Sequence, residues 1–139
     1  ALRAPHRQVI CFVGDGGFQM TGNEISLAVE RNLPIRFIVS NNGSLGTIRL
    51  YQEKTYPDRT LATNMTNPDF TKIAEAYGAK GFKINKNEDI QEVLKKAFAI
   101  DGPVLVEVNS SLEYLAAYIN MSDIRATHAK SICFPSKPT

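Results

Sequence analysis

The sequence predicts an α/β fold, a three-layer sandwich in which a mostly parallel sheet is flanked by helices. Short apolar runs bounded by turn residues alternate with segments whose apolar residues recur every three or four positions. These are the patterns of strands and of amphipathic helices. Strands and helices that alternate in this way favour a parallel sheet with right-handed crossovers. With 139 residues, 43% of them hydrophobic, the chain is long enough to bury one core.

Four apolar runs predict the strands of the sheet. The first is Val9 to Val13, and it reads as a buried strand because it contains no charged residue. Pro34 opens the second run, and Gly102 with Pro103 leads into the fourth. The predicted strands are residues 8–13, 34–40, 80–84 and 104–108.

Apolar spacing and capping residues predict the helices. Asp69 is a typical N-cap and Gly78 a typical C-terminal stop for one helix, and Asn87 is the expected cap of the next. The helix after the first strand is expected to begin near Thr21 or Gly22. The predicted helices are residues 22–31, 47–53 within a long connection over 43–68, 69–77 and 88–99. A helix at 121–130 has a poor apolar pattern, and the tail after residue 120 is expected to be weakly ordered.

Two polar clusters directly follow the first two predicted strands. Gly14-Asp15-Gly16 follows the first strand, and Asn41-Asn42 follows the second. Ligand sites of open parallel sheets lie at the carboxyl ends of the strands, so we expect both clusters at one edge. A carboxylate, flexible glycines and a carboxamide at one edge can hold a divalent cation and a diphosphate.

The residue types in these clusters suit Mg²⁺, which prefers hard oxygen ligands. Asp15 supplies a carboxylate and Asn42 a neutral carboxamide oxygen. The irregular loop that follows can turn a main-chain carbonyl toward the same point, and that of Ser44 is the best placed. Gly16 and Gly17 have no side chains, so an anion can approach their N–H groups closely.

Composition and charge argue against several other classes of function. The net charge is +2 and there is no basic stripe, so nucleic acid is not an expected partner. No apolar run approaches the roughly 18–20 residues that span a membrane, and nothing resembles a signal peptide. Cys11 and Cys133 form no Cys-x-x-Cys pair. They predict free thiols in a reducing compartment, with the cytoplasm as the expected location.

The clusters and their spacing resemble the thiamine-diphosphate motif of the acetolactate synthase and pyruvate decarboxylase superfamily. The resemblance covers roughly residues 1–109 and extends beyond the two clusters. The segments similar to that family's diphosphate-binding domain are residues 14–21, 24–25, 32–35, 41–49, 67–70, 74–78 and 102–108.

The resemblance implies two cofactors, thiamine diphosphate and Mg²⁺, and a 2-keto acid as substrate. It implies that the metal is ligated by the Asp15 carboxylate, the Asn42 side chain and the Ser44 carbonyl. The residues implied in binding the cofactor are Gly14, Asp15, Gly16, Gly17, Asn42 and Ser44.

The resemblance also implies that the chain is part of a longer enzyme. In the family, the glutamate that activates thiamine lies on a pyrimidine-binding domain supplied by the partner subunit. We therefore assign no catalytic residue here and expect this piece alone to be inactive. Residues 1–119 are expected to form a partial diphosphate domain and 120–139 a tail. We expect the sheet to be incomplete at its N-terminal side, which exposes a strand edge and favours a homo-oligomer.

Two positions depart from acetolactate synthases. Those enzymes carry Trp where this chain has Tyr51, and that Trp helps to select the second keto acid; they tend to have Met where Thr47 stands. These departures concern the choice of substrate and leave cofactor binding unchanged. The alternative hypothesis treats both clusters as ordinary turns. The chain is then a non-catalytic doubly wound module that binds a nucleotide or a protein, with no preference for thiamine.

Overall fold

The computed structural model describes residues 1–115 and 119–132, with the backbone alone over 128–132. Cys133, one of the two expected free thiols, lies outside these residues, whereas Cys11 is a free, exposed cysteine. The described chain forms two compact units. Unit 1 comprises Ala1–Gly43 and Thr66–Ser110, and unit 2 comprises Ser44–Met65 and the described part of Ser111–Thr139. The predicted division at residue 119 stays a prediction.

Unit 1 is built on a four-stranded sheet that is parallel throughout and confirms the predicted fold class. The strand order is β1-β2-β4-β3. Gly14 pairs with Ser40, and Asn41 pairs with Asn109, so three strands end together at one edge. The strands are β1 Val9–Gly14, β2 Ile35–Asn41, β3 Lys80–Ile84 and β4 Val104–Asn109, each within one residue of its predicted bounds.

Six α-helices occur in the described residues. They are α1 Asp15–Thr21, α2 Ile25–Glu30, α3 Gly46–Thr55, α4 Phe70–Ala76, α5 Ile90–Ala99 and α6 Met121–Ile132, with 3₁₀ turns at Gly22–Glu24 and Asn87–Asp89. Asp69 caps α4 as predicted, because its carboxylate accepts the N–H groups of Thr71 and Lys72. The Thr71 hydroxyl donates to the same carboxylate and lowers the pKa of Asp69. Asn87 was expected to cap α5, but it begins a 3₁₀ turn that no side chain caps.

The first helix begins earlier than the sequence predicted. Its expected start was near Thr21 or Gly22, but α1 begins at Asp15, directly after β1. Gly16 and Gly17 have low helix propensity, which explains why the apolar pattern placed the start later. Tertiary packing overrides this propensity, because Phe18 on α1 is buried in the core. The Gly-Asp-Gly-Gly segment therefore forms the end of a strand and the first turn of a helix.

The two faces of the sheet are covered by different helices. Phe18, Val39, Phe70 and Leu105 belong to the core on the face of α1, α2 and α4. The other face is covered by α5, which packs on β3 and β4. This face stays exposed on β1, where Ile10 is 54% and Phe12 is 74% accessible. The sequence predicted a buried strand here, and that prediction is wrong, because β1 is the edge strand and none of its residues is fully buried.

Unit 2 contains a buried carboxylate on α3. Glu53 is fully buried, and Arg125 on α6 donates to both of its oxygens. The N–H of Asp58 donates to the same carboxylate at 2.9 Å. The hydrogen bond from Arg125 is the main cause of a lowered pKa of Glu53.

The helix α6 confirms the weak helical pattern, whereas the weak order expected of the tail stays a prediction. No helix in the described ranges is long and apolar enough to cross a membrane.

Gly81→Ala is expected to destabilise unit 1. A Cβ at Gly81 would lie 2.7 Å from the backbone oxygen of Thr71, so β3 and α4 would have to separate. We expect a cost of about 1–3 kcal/mol in the free energy of unfolding, typical of overpacking, read as a lower unfolding temperature. Lys80→Ala on the same strand, where the side chain is exposed, is the control. An unchanged or raised unfolding temperature in Gly81→Ala would contradict the close packing.

The Glu53–Arg125 pair is expected to make α6 docking depend on pH. Because the pKa of Glu53 is lowered from 4.5 in the fold, its contribution is present above pH 4.5 and is lost as pH falls through the folded value. Hydrogen exchange of α3 and α6 amides should show weaker protection in Glu53→Gln than in the wild type at pH 7. The difference should vanish at low pH. A difference that does not shrink as pH falls below 4.5 would contradict this role.

Candidate functional site

Asp15 lies at the carboxyl edge of the sheet and is 2% accessible. Its Oδ2 accepts the N–H of Gly43 at 2.9 Å and the side-chain Nδ2 of Asn67 at 2.6 Å. Within the described ranges, its Oδ1 accepts only the adjacent N–H of Gly16, at 3.0 Å. One oxygen is thus held by two donors from distant parts of unit 1, and the other has a single local contact.

The charge of Asp15 has no basic partner among the described residues. Three acidic side chains there are at most 2% accessible, namely Asp15, Glu53 and Glu107. Glu53 pairs with Arg125 and Glu107 pairs with Lys83, whereas Asp15 forms no ion pair in the described ranges. Burying an unpaired charge is costly, and a bound cation would remove that cost.

A tight turn brings the second polar cluster to Asp15. Gly43 has a φ of +65°, a left-handed conformation that glycine adopts without the steric penalty of a side chain. Its N–H donates to Asp15 and also to the side-chain oxygen of Asn41 at 3.1 Å. Asn42, the residue between them, follows β2 directly and is half-buried. The structure therefore brings the two predicted clusters together at one edge.

The predicted glycines occupy the junction between β1 and α1. Gly14 is the last residue of β1, and a Cβ there would meet no atom within 4 Å. Gly16 and Gly17 lie in the first turn of α1. A Cβ at Gly17 would lie 3.0 Å from a methyl group of Val13. The absence of side chains at Gly14 and Gly16–Gly17 keeps the backbone of this junction bare.

Ser44, the third predicted metal ligand, belongs to unit 2. It is 2% accessible, and its hydroxyl donates to the carbonyl of Thr63 at 2.8 Å. The N–H of Leu45 donates to the same carbonyl. These bonds fix the local conformation of Ser44 within unit 2, and its role as a ligand stays a prediction.

The sequence did not single out Asn67 as a site residue. Its Nδ2 donates to Asp15 and to the Oδ1 of Asn41 at 2.8 Å, and its own Oδ1 accepts Gln19 at 2.6 Å. Asn67 lies more than fifty residues after Asp15, before the Pro68-Asp69 cap of α4. No local periodicity points to such a contact, and only the crossover of the chain back to this edge creates it.

The polar contacts continue from Asn41 into the sheet. The Nδ2 of Asn41 donates to Oε1 of Glu107 at 2.8 Å, and Lys83 Nζ lies 3.1 Å from the same oxygen. Lys83, Glu107 and Asn41 lie on the adjacent strands β3, β4 and β2. The predicted strands contained Lys83 and Glu107, and Asn41 was predicted to follow the second strand directly, but the strand order needed to align the three could not be read from the sequence.

The donor set at this edge suits a hard cation. No group of three or more His, Cys, Asp or Glu side chains that could hold a metal occurs in the described part of the chain. A cation beside Asp15 would therefore be bound by one carboxylate together with carboxamide and carbonyl oxygens. Mg²⁺ is commonly held in this way, with phosphate and water completing its octahedron.

A protein-family model matches most of the chain. Residues 1–108 match the family model described as "Thiamine pyrophosphate enzyme, C-terminal TPP binding domain". The match covers all four strands except Asn109 and includes both polar clusters and Asn67.

Several curated proteins share at least a third of their aligned residues with the chain. The catalytic subunit of mitochondrial acetolactate synthase from Saccharomyces cerevisiae is 39% identical over 104 residues, or 75% of this chain. The large subunit of acetolactate synthase from Pyropia yezoensis is 39% identical over 74% of the chain. Mitochondrial acetolactate synthase from Schizosaccharomyces pombe is 34% identical over 78%. The aligned regions span only 15%, 18% and 16% of these relatives.

The resemblance noted in the sequence is thus confirmed by the family model, by the relatives and by a fold that places both motif clusters at one sheet edge. The chain belongs to the thiamine pyrophosphate enzymes and carries the C-terminal TPP-binding domain of that family.

Proposed function

We propose that the chain binds Mg²⁺ and the diphosphate of thiamine diphosphate as part of a larger acetolactate-synthase-like enzyme. That enzyme would act on 2-keto acids by decarboxylation or carboligation. The observation that carries the proposal is the Asp15 carboxylate, which is buried among neutral donors without a basic partner in the described residues.

The metal would be held by three oxygen donors. Asp15 supplies the negative charge through Oδ1, the oxygen with only a local contact. The side-chain oxygen of Asn42 and the main-chain carbonyl of Ser44 are the second and third proposed ligands. One carboxylate with two neutral oxygens leaves coordination positions for phosphate oxygens and water, which Mg²⁺ usually retains.

The diphosphate would lie against the β1–α1 junction. Gly14 has open space where a side chain would be, and Gly16 and Gly17 in the first turn of α1 carry no side chain, so phosphate oxygens would approach main-chain N–H groups here. The metal would neutralise part of the diphosphate charge. The bound cofactor supplies the electron sink for carbanion chemistry, and the protein supplies position and electrostatics.

We propose no catalytic residue within this chain. The glutamate that activates thiamine would come from the pyrimidine-binding domain of a partner subunit, so activity requires the larger enzyme and a homo-oligomer. The chain spans less than a fifth of the three relatives described above. Their names indicate acetolactate synthesis, while Tyr51 and Thr47 leave the choice of keto acid open. We also propose a cytoplasmic location, although two of these relatives are named mitochondrial.

Asp15→Asn is expected to weaken Mg²⁺-dependent binding of thiamine diphosphate by on the order of 100-fold, because the only carboxylate ligand is lost. Binding is measured by calorimetric titration of the native polypeptide that carries this sequence, with Mg²⁺ and with EDTA. Retained affinity in the variant would contradict the ligand assignment.

Two controls make this titration specific. Asp101→Asn removes the same charge at the opposite, amino edge of the sheet, where Asp101 precedes β4, and it should leave the affinity unchanged. ADP in place of thiamine diphosphate tests the nucleotide-binding alternative. Equal affinity for ADP would favour a general diphosphate module over a thiamine enzyme.

A further inference from the structure

Glu107 is a buried carboxylate with an incomplete set of partners. It is 1% accessible and lies on β4, in the middle of the sheet. Its Oε1 accepts Asn41 and lies 3.1 Å from Nζ of Lys83, whose side chain is 37% accessible. Its Oε2 is buried and has no hydrogen-bond partner among the residues that the structure describes. A buried acceptor without a partner costs stability, so a gain elsewhere must offset it.

The carboxylate of Glu107 dictates how the Asn41 amide is turned. An ionised carboxylate only accepts hydrogen bonds, so the group that faces it must be the Nδ2 of Asn41 rather than the oxygen. The Oδ1 of Asn41 must then face the other way. There it accepts the N–H of Gly43 at 3.1 Å and Nδ2 of Asn67 at 2.8 Å.

The orientation of Asn41 in turn supports the donors on Asp15. Asp15 accepts a hydrogen bond from Nδ2 of Asn67, and the Asn41 oxygen accepts from the same nitrogen, so both acceptors hold Asn67 in one orientation. The N–H of Gly43 is likewise shared between Asn41 and Asp15. If the Asn41 amide were reversed, its Nδ2 would face both donors and both contacts would be lost.

We propose that Glu107 is a positioning residue for the metal site. By holding the amide of Asn41, whose oxygen shares the donors Asn67 and Gly43 with Asp15, it keeps both donors on Oδ2 of Asp15 and leaves Oδ1 for the cation. It also holds the turn at Gly43, next to the proposed ligand Asn42. The inference rests on the proposed function, because it concerns the same cation.

A stabilising role alone would not require a carboxylate at this position. Replacing a buried ion pair with apolar side chains of similar volume is often neutral or stabilising. Lys83 is partly exposed, so it can be solvated once its partner is removed. Loss of metal affinity without loss of stability therefore distinguishes positioning from packing.

The test is Mn²⁺ binding in the presence of thiamine diphosphate, followed by the electron paramagnetic resonance signal of free Mn²⁺ in the native polypeptide. Glu107→Met should bind Mn²⁺ about 10- to 100-fold more weakly, the usual effect of losing an outer-shell partner, at an unchanged or higher unfolding temperature. Glu107→Gln should stay within about threefold of the wild type, because its side-chain oxygen still accepts from Asn41. Lys83 favours that orientation by repelling the amide nitrogen.

A matched control and a second variant keep the result interpretable. Glu92→Met makes the same change at the exposed Glu92–Lys96 pair and should leave Mn²⁺ affinity unchanged. If Glu107→Met does not fold, the pair Lys83→Met with Glu107→Met replaces the whole ion pair with apolar side chains, a change that is often neutral for stability. It also leaves Asn41 without its acceptor and should bind Mn²⁺ roughly tenfold more weakly.

Wild-type Mn²⁺ affinity in a folded Glu107→Met, or in the double variant, would overturn the inference. An equal loss of Mn²⁺ affinity in Glu107→Met and Glu107→Gln would also overturn it, because Gln keeps a hydrogen-bond acceptor for Asn41 and Met does not. Asp15→Asn in the same titration separates the two proposals. If Asp15→Asn loses Mn²⁺ while Glu107→Met retains it, the metal site stands and only the positioning role fails.

Discussion

Burial of the Asp15 carboxylate at the carboxyl edge of the sheet is the constraint on which the site depends. Parallel pairing ends β1, β2 and β4 together, so the residues after them converge. The turn at Gly43 and the amide of Asn67 then deliver two N–H donors to one oxygen of Asp15. Neutral donors stabilise the carboxylate without cancelling its charge, which leaves the other oxygen suited to a cation.

Buried acids elsewhere in the described chain follow the opposite pattern. Glu53 and Glu107 each have a basic partner, Arg125 and Lys83 respectively, as expected of buried charges that are compensated within the protein. Glu107 differs from Glu53 in having one oxygen without a partner. The three buried acids therefore have different roles in this account. Glu53 anchors α6 within unit 2, Glu107 orients the Asn41 amide, and Asp15 retains its charge for a ligand.

The sequence predicted the parts of this fold that are encoded locally. All four strands, and the convergence of Asp15 with the Asn41-Asn42 cluster, follow from apolar runs and the geometry of parallel sheets. The start of α1 was misplaced because propensity at Gly16–Gly17 is overridden by burial of Phe18. Asn67 and Lys83 were missed because their contacts depend on crossovers and strand order, which no local pattern contains.

The most direct test of the uncompensated charge is thermal unfolding of the native polypeptide and of Asp15→Asn, each in EDTA and in Mg²⁺ with thiamine diphosphate. In EDTA the variant should be at least as stable as the wild type, since it removes an unpaired buried charge. With the ligands, only the wild type should gain stability. If the variant is less stable than the wild type in EDTA and gains as much stability from the ligands as the wild type does, a cation site at Asp15 is contradicted.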